Sequence, residues 1–278
     1  MSWGDMVMKK QSTLDLEFMA LLSEVMFGHG FAHYGYFEGG KAPDLTGQSL
    51  SNAQQAYFDK LAGAIPDGVK TIFEIGSGTG ANALALIDRG YDMTLLSPSV
   101  QMNQMAREKL PAGTEVIDAT LEEFERDDMF DICLYAESFH YIDMTSALAK
   151  TERHAREGFV LFDYFRREAH RETDRTHSTH AEFLAALEAQ GAFEVVSDED
   201  VTAEIAPTFE IMNYVQTEKL APFLERFRGE FAREKPWRSW VLEKFAGKKL
   251  NRLATPSKRP GFFEEQNEYH LMVMKRRN

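Results

Sequence analysis

Thr71-Ile72-Phe73-Glu74-Ile75-Gly76-Ser77-Gly78-Thr79-Gly80 is the stretch from which the rest of the chain is read. Thr71 to Ile75 has the length and β-branched character of a buried strand. Glycines at 76, 78 and 80 allow a sharp turn and let a ligand approach the backbone where a Cβ would clash. Ala81 to Ile87 then reads as a helix, with Gly90 just past its end. A strand, a glycine turn and a helix N-terminus together predict a nucleotide-binding crevice.

The glycines do not by themselves name the nucleotide, because Gly76, Gly78 and Ala81 also satisfy a loose dinucleotide pattern. That pattern wants an acid about 20 residues on, to hold the ribose. Here the second strand, Tyr91 to Leu96, ends in Ser97-Pro98-Ser99, and no Arg follows nearby for a 2′-phosphate. Glu74 is the other discriminator. A carboxylate just before the glycines repels a pyrophosphate but suits a ligand with an amino group and a sulfonium, such as S-adenosylmethionine (SAM).

The run Glu74 to Gly80 resembles the first motif of class I SAM-dependent methyltransferases. Four further stretches resemble that family in order: Ser97 to Met102, Asp118-Ala119 after a strand at Glu115 to Ile117, Phe130 to His140, and Gly158 to Asp163. The resemblance spans about residues 30 to 202, with a last strand near Tyr269 to Lys275. It implies an α/β, doubly wound, mostly parallel seven-stranded sheet. Residues 1–50 would form an N-terminal helical and aromatic lid, 51–202 the SAM-binding core, 203–263 an inserted helical cap, and 264–278 the last strand of the core. Helices are expected near Ser51 to Gly63, Gly80 to Arg89, Ser99 to Leu110, Asp143 to Arg156 and Thr179 to Gln190, the first with a Ser51/Gln54 capping box.

In such sheets ligands bind at the carboxyl ends of the strands. The resemblance then implies a SAM site made of Tyr34, Tyr36, Glu74, Gly76, Ser77, Gly78, Gly80, Ser97, Gln101, Asp118, Ala119 and Tyr135. Tyr34 and Tyr36 enter because Phe31-Ala32-His33-Tyr34-Gly35-Tyr36-Phe37 resembles the aromatic run that covers the methionine end of SAM in small-molecule methyltransferases; packing of the N-terminal helix onto the sheet is the alternative. Ser97 departs from the acid most of the family places there. The tocopherol and cyclopropane-fatty-acid groups also carry a hydroxyl at that point, which holds a ribose more weakly than a carboxylate does.

Methyl transfer is an in-line displacement at carbon already activated by the sulfonium, so positioning and exclusion of water supply much of the catalysis. A base is needed when the acceptor must lose a proton. Glu137, His140 and Asp163 are the polar candidates at strand ends, with Tyr141 and Tyr164 shaping an acceptor pocket. Histidine is the side chain whose charge change falls nearest neutral pH, and a loop-bonding His140 is the alternative. His170, His177 and His180 stand in a polar connector whose spacing matches no zinc pattern, so no metal is expected and the connector reads as a solvated loop or a lid.

The chain has 278 residues, 44% of them apolar, and a single cysteine, Cys133, on a strand expected to be buried. Internal disulfides are excluded and a reducing compartment fits. No apolar run reaches membrane-spanning length and the N-terminus lacks a signal-peptide core, so a cytoplasmic protein is expected. Ser12 to Met26 is amphipathic. The insertion between Thr202 and Phe263 is helical in pattern and aromatic. Lys219 to Arg259 holds twelve Lys/Arg against four Asp/Glu, a net +8 inside a chain of −13. Such a segment suits an anionic membrane face, an acidic carrier protein or a phosphorylated acceptor, and peripheral membrane contact is one reading. A cap burying its apolar stripe on the core is the other. Nucleic acid is disfavoured because the acidic remainder repels phosphate.

These features predict methyl transfer from SAM to a small hydrophobic or lipid-like acceptor. The rivals are O- or N-methylation of a polar metabolite, a SAM-binding or partner-binding module without turnover, and, remotely, an NAD-linked oxidoreductase. Cyclopropanation is disfavoured because Glu137-Ser138-Phe139-His140 breaks the adjacent Glu-His pair of that group, and the arsenite group is excluded by the lone Cys133.

Overall fold

A computed structural model describes residues 30–171, 177–235, 237–240, 243, 244, 247 and 261–277. The amphipathic Ser12 to Met26, most of the expected 1–50 lid and the distal part of the cap lie outside these residues.

The glycine-rich stretch opens a seven-stranded sheet among the described residues. Its strands are β1 Thr71–Ile75, β2 Asp92–Ser97, β3 Glu115–Asp118, β4 Phe130–Ala136, β5 Ala155–Arg166, β6 Phe193–Asp200 and β7 Asn267–Arg276. The order across the sheet is β3-β2-β1-β4-β5-β7-β6. β1 to β5 pair in parallel, while β7 runs antiparallel to both β5 and β6. The order reverses between β1 and β4, which opens the crevice beside the glycine turn.

Both faces are covered, which is why the central strands are apolar on both sides. One layer consists of α1 Gly47–Gly63, α2 Ala81–Asp88 and α3 Val100–Lys109, packed through residues such as Tyr57, Leu61, Leu86 and Ala106. Tyr57 stacks on Phe162 at 4.0 Å and donates its hydroxyl to the Phe162 carbonyl at 3.1 Å. The other layer consists of α4 Met144–His154 and α5 His180–Gln190, packed through Leu148, Phe183 and Leu187 against Cys133, Tyr135 and Phe159. Burial pushes the Cys133 thiol far up, so it behaves as an inert core group.

Local chemistry sets the helix limits. α5 carries a complete capping box, Thr179 with Glu182, and ends at Gly191 in the left-handed conformation. α1 corrects the expected Ser51 start: it begins one turn earlier, capped by the Thr46 hydroxyl. Gln54 is therefore not a capping residue. Its amide donates to the carbonyls of Phe31 at 3.3 Å and His33 at 2.8 Å, fastening the aromatic entry run to the helix.

The insertion follows β6 as α6 Thr202–Ile205, α7 Pro207–Tyr214, a π-helical turn Val215–Leu220 and α8 Ala221–Glu234; α9 Phe262–Gln266 leads into β7. Its near end is stitched to the entry run. Phe37 N–H donates to Glu204 O at 2.8 Å, and the Gly35 N–H donates to the Thr208 hydroxyl at 2.9 Å. Among the described residues, α8 buries Leu224 and leaves Phe223 and Phe227 exposed, as are Trp237 and Trp240.

Candidate active site

A cavity of about 350 Å³ lies at the carboxyl ends of the parallel strands. Its walls are the glycine turn, the Ser97–Ser99 corner after β2, the loop 119–122 after β3, the loop after β4 and the entry run 30–33.

The turn is shaped by contacts that only glycine allows. Gly76 has φ +80°, and a Cβ there would stand 2.2 Å from the Ser138 Cβ. Gly78 has φ +54° and open space where a Cβ would be. That space is the cradle a ligand can enter. In the cavity wall, two buried polar atoms have no hydrogen-bond partner, Ser77 Oγ and Asn82 Oδ1, as does Glu74 Oε2 beneath it. Buried polar groups are nearly always satisfied, so a polar ligand fits this gap. A nucleoside bearing an amino acid supplies both the donors and the cation that a set rich in acceptors needs.

Glu74 lies beneath the cavity wall and is 2% exposed. Burial raises its pKa to about 8, with a hydrogen bond from Asn82 opposing the shift. Glu137 lines the cavity and is the positive-φ non-glycine residue of the described chain, at +54°. Such a conformation costs about 1–3 kcal/mol and persists where neighbours over-determine it. Here the Tyr34 N–H and the Tyr269 hydroxyl both donate to Glu137 Oε1 at 2.8 Å, and the Glu137 N–H donates to Phe162 O at 3.0 Å. Burial again raises the pKa, to about 8; the two donors oppose it and the Asp163 charge adds to it.

These two carboxyls make stability pH-dependent with a defined sign. Their folded pKa values exceed the unfolded value of 4.5. As pH climbs past 4.5 the unfolded state releases protons that the folded state still holds. Stability is therefore expected to fall between about pH 4.5 and pH 8 and then level off, by several kcal/mol in all. Urea unfolding across that range should show the slope in wild type, and Glu74→Gln with Glu137→Gln should flatten it. An unchanged slope in the double variant would place the titrating groups elsewhere.

Next to the cavity stands a histidine–aspartate pair. His140 Nδ1–H donates to Asp163 Oδ1 at 2.7 Å, and the His140 N–H donates to Asp163 Oδ2 at 3.2 Å. Asp163 also accepts the Tyr164 N–H at 2.8 Å and is 1% exposed. Because the carboxylate accepts at Nδ1, Nε2 is left as the basic nitrogen. The imidazole packs between Tyr141, at 3.9 Å, and Tyr164, at 4.4 Å between ring centres, and Tyr141 lines the cavity. Beyond Tyr164 an aromatic cluster continues through Phe263, Phe209, Tyr34 and Tyr269.

Of the residues expected at the SAM site, Gly76, Ser77, Gly78, Ser97 and Ala119 line the cavity, as does the catalytic candidate Glu137. Others stand elsewhere. Tyr135 corrects its expectation: it is fully buried on the opposite sheet face, hydrogen-bonded to Thr151 at 2.7 Å, and its neighbour Ala136 meets the cavity. Successive strand residues face opposite ways, and the choice here fell on the wrong face. The entry run meets the cavity only through Gly30 to His33, before Tyr34 and Tyr36. Tyr34 turns to Phe209 and Phe263, and Tyr36 lies under Lys60. Gln101 is exposed on α3, and Met102, the next residue round the helix, lines the cavity instead. Asp118 is held away by Asn103 at 2.7 Å and Arg107 at 2.9 Å; their hydrogen bonds, Arg107's first, lower its pKa. Gly80 caps α2 at φ +75°, where a Cβ would press on Ala106 at 2.9 Å. The sequence reading missed His33, Asn82 and Met102. Asn82 carried a signal, since a polar residue in the first turn after a glycine loop points at whatever the loop holds.

Comparison with known proteins agrees with this geometry. A methyltransferase-domain family model matches residues 73–162. An uncharacterized methyltransferase of Mycobacterium tuberculosis is 30% identical over 95 residues, 34% of this chain. The chain spans about two fifths (39%) of the length of that curated relative. In overall fold the chain is similar to the [4+2]-cyclase SpnF, with TM-score 0.65 and 18% identity over 94% of this chain and 95% of that one. It is also similar to geranyl diphosphate C-methyltransferase from Streptomyces coelicolor A3(2), solved with Mg2+, geranyl-S-thiolodiphosphate and S-adenosyl-L-homocysteine. There the TM-score is 0.64 and the identity 13%, over 96% of this chain and all of the other.

Proposed function

We propose that this chain, whose residues 73–162 match a methyltransferase-domain family model, transfers the methyl group of SAM to a small hydrophobic or lipid-like acceptor. The observation that carries the reading is the cradle at Gly78, with the unpartnered Ser77 Oγ and Asn82 Oδ1 in its wall, Glu74 beneath and the His140–Asp163 pair beside it.

In this reading Gly76 to Gly78 and Ser97 to Ser99 hold the nucleoside, and Glu74 and Asn82 answer the amino-acid end. SAM, when bound, supplies the activated methyl carbon. Asp163 keeps the proton of His140 on Nδ1, so Nε2 faces the acceptor as an acceptor of its proton. Tyr164 and the aromatic cluster behind it exclude water and favour an apolar acceptor, with Tyr141 exposed at the rim. A solved protein of similar fold holds geranyl diphosphate, a ligand with an apolar chain. The exposed Phe223, Phe227, Trp237 and Trp240 beside the basic residues of the cap offer a contact for an anionic lipid surface. Among the described residues no helix is long and apolar enough to cross a membrane.

The test is methyl transfer from labelled SAM to a panel of phenols, isoprenoid alcohols and fatty acids beside polar amines and sugars, each with and without anionic vesicles. Turnover of the apolar set is expected. Turnover confined to polar acceptors would replace the acceptor class. Binding without turnover, unaltered by substitution of His140 and Asp163, would leave a binding module.

A further inference from the structure

The connector histidines do not stay together in the fold. His177 Nε2 reaches the Tyr164 hydroxyl at 3.2 Å, and His170 contacts the Gln266 amide at 3.1 Å. His180, the first residue of α5, meets two residues distant in sequence: Asp198 on β6 and His270 on β7.

Asp198 accepts from His270 Nδ1–H at 2.7 Å, and its other oxygen lies 2.8 Å from His180 Nε2. The two imidazoles stack at 4.0 Å and 18°. One potential ligand atom from each of the three residues lies within 4.8 Å of the other two. The side chains are 19%, 24% and 8% exposed in chain order, so water reaches the group only at its edge. Two buried nitrogens, His180 Nε2 and His270 Nε2, have no aligned hydrogen-bond partner. Phe165 backs both rings, at 5.3 and 5.8 Å. A hydrogen-bonded staple accounts for the contact through His270. It leaves the His180 nitrogen close to a carboxylate oxygen but out of line with it, which is where a shared cation satisfies both.

We propose that His180, Asp198 and His270 form a zinc-class divalent-cation site that ties α5 to the antiparallel β6–β7 pair. Two imidazole nitrogens with one carboxylate oxygen select zinc or a neighbouring transition metal over magnesium or calcium, which take oxygen ligands. Zinc would draw the three atoms in to bonds of roughly 2.0–2.2 Å, with remaining positions left to water, which requires the stacked rings to turn toward a common point. Asp200, opposite His270 in the β6–β7 register, adds negative charge beside the site. The site is separate from the SAM cradle. It still shares a sheet face with the dyad, because His270 stands opposite Asp163 in the β5–β7 register. The cation therefore holds the strand against which Asp163 is set.

The test titrates the chelator-stripped, full-length protein with Co2+, followed by competition with Zn2+. A visible absorption band saturating at one equivalent, bleached by Zn2+, is expected. His180→Gln and Asp198→Asn should each weaken binding at least about tenfold, while His170→Gln leaves it unchanged. Zinc at a hundredfold excess over its Kd should raise the wild-type melting temperature by about 5 °C, and this rise should vanish in His180→Gln, whose partly exposed helix-start position tolerates the change. No saturable band in wild type would overturn the site and leave the staple, as would equal binding in wild type and both ligand variants.

Discussion

His140→Ala is expected to lower the turnover number for methyl transfer by about 10²- to 10⁴-fold, the usual contribution of a positioned proton acceptor. The affinity for S-adenosylhomocysteine should stay within about twofold, because His140 does not line the nucleoside cavity. Asp163→Asn should act in the same direction. An amide no longer dictates which ring nitrogen carries the proton, so Nε2 ceases to be the basic atom in every molecule. The loss should also depend on the acceptor: large for a phenol or alcohol that must be deprotonated, small for an amine or thiolate already nucleophilic. Equal turnover in His140→Ala and wild type on a hydroxyl acceptor would remove the base role and leave the pair as a device that orients the loop after β4.

Gly78→Val is expected to weaken S-adenosylhomocysteine binding by about 100-fold or more, equivalent to roughly 2.7 kcal/mol. Two effects add. Valine in the left-handed region at φ +54° carries about 1–2 kcal/mol of backbone strain. Its side chain also takes the open space in which nothing lies within 4 Å of the added Cβ. Gly78→Asn separates the two, since asparagine tolerates this backbone region and only fills space. Calorimetric titration beside NADH, with thermal melts of each variant, gives the readout. Saturable binding of the homocysteine compound in wild type, lost in Gly78→Val with a melting temperature only a few degrees lower, is the expected pattern. Binding of NADH instead would overturn the cofactor assignment. Undiminished binding in Gly78→Val would mean that the ligand does not approach the turn.

What was legible in the sequence was local. The Thr71 to Gly80 run, the helix after it and the repeated strand-and-helix alternation depend on periodicity and turn chemistry within about ten residues, and the sheet and its crevice follow from them. The cradle residues Gly76, Ser77 and Gly78 were legible for the same reason: a backbone that must be left-handed or approached closely announces itself as glycine. Errors began where a choice of face was required. Tyr135 and Tyr34 are each one residue from a position that meets the cavity, Gln101 is one residue from Met102, and Tyr36 lies three residues beyond His33. Strand parity and helix phase turn a one-residue offset into the opposite surface.

The sequence by itself determined the order of elements, the glycine turn and the polar residues offered at the strand ends, because each is set by neighbours along the chain. Only the tertiary structure decided that Glu137 is held by a backbone amide 103 residues away, that Asp163 grips His140, and that His180 leaves its neighbouring histidines for Asp198 and His270. Those pairings are made across strands and layers. Their partners are chosen by sheet order and burial, which no spacing along the chain records.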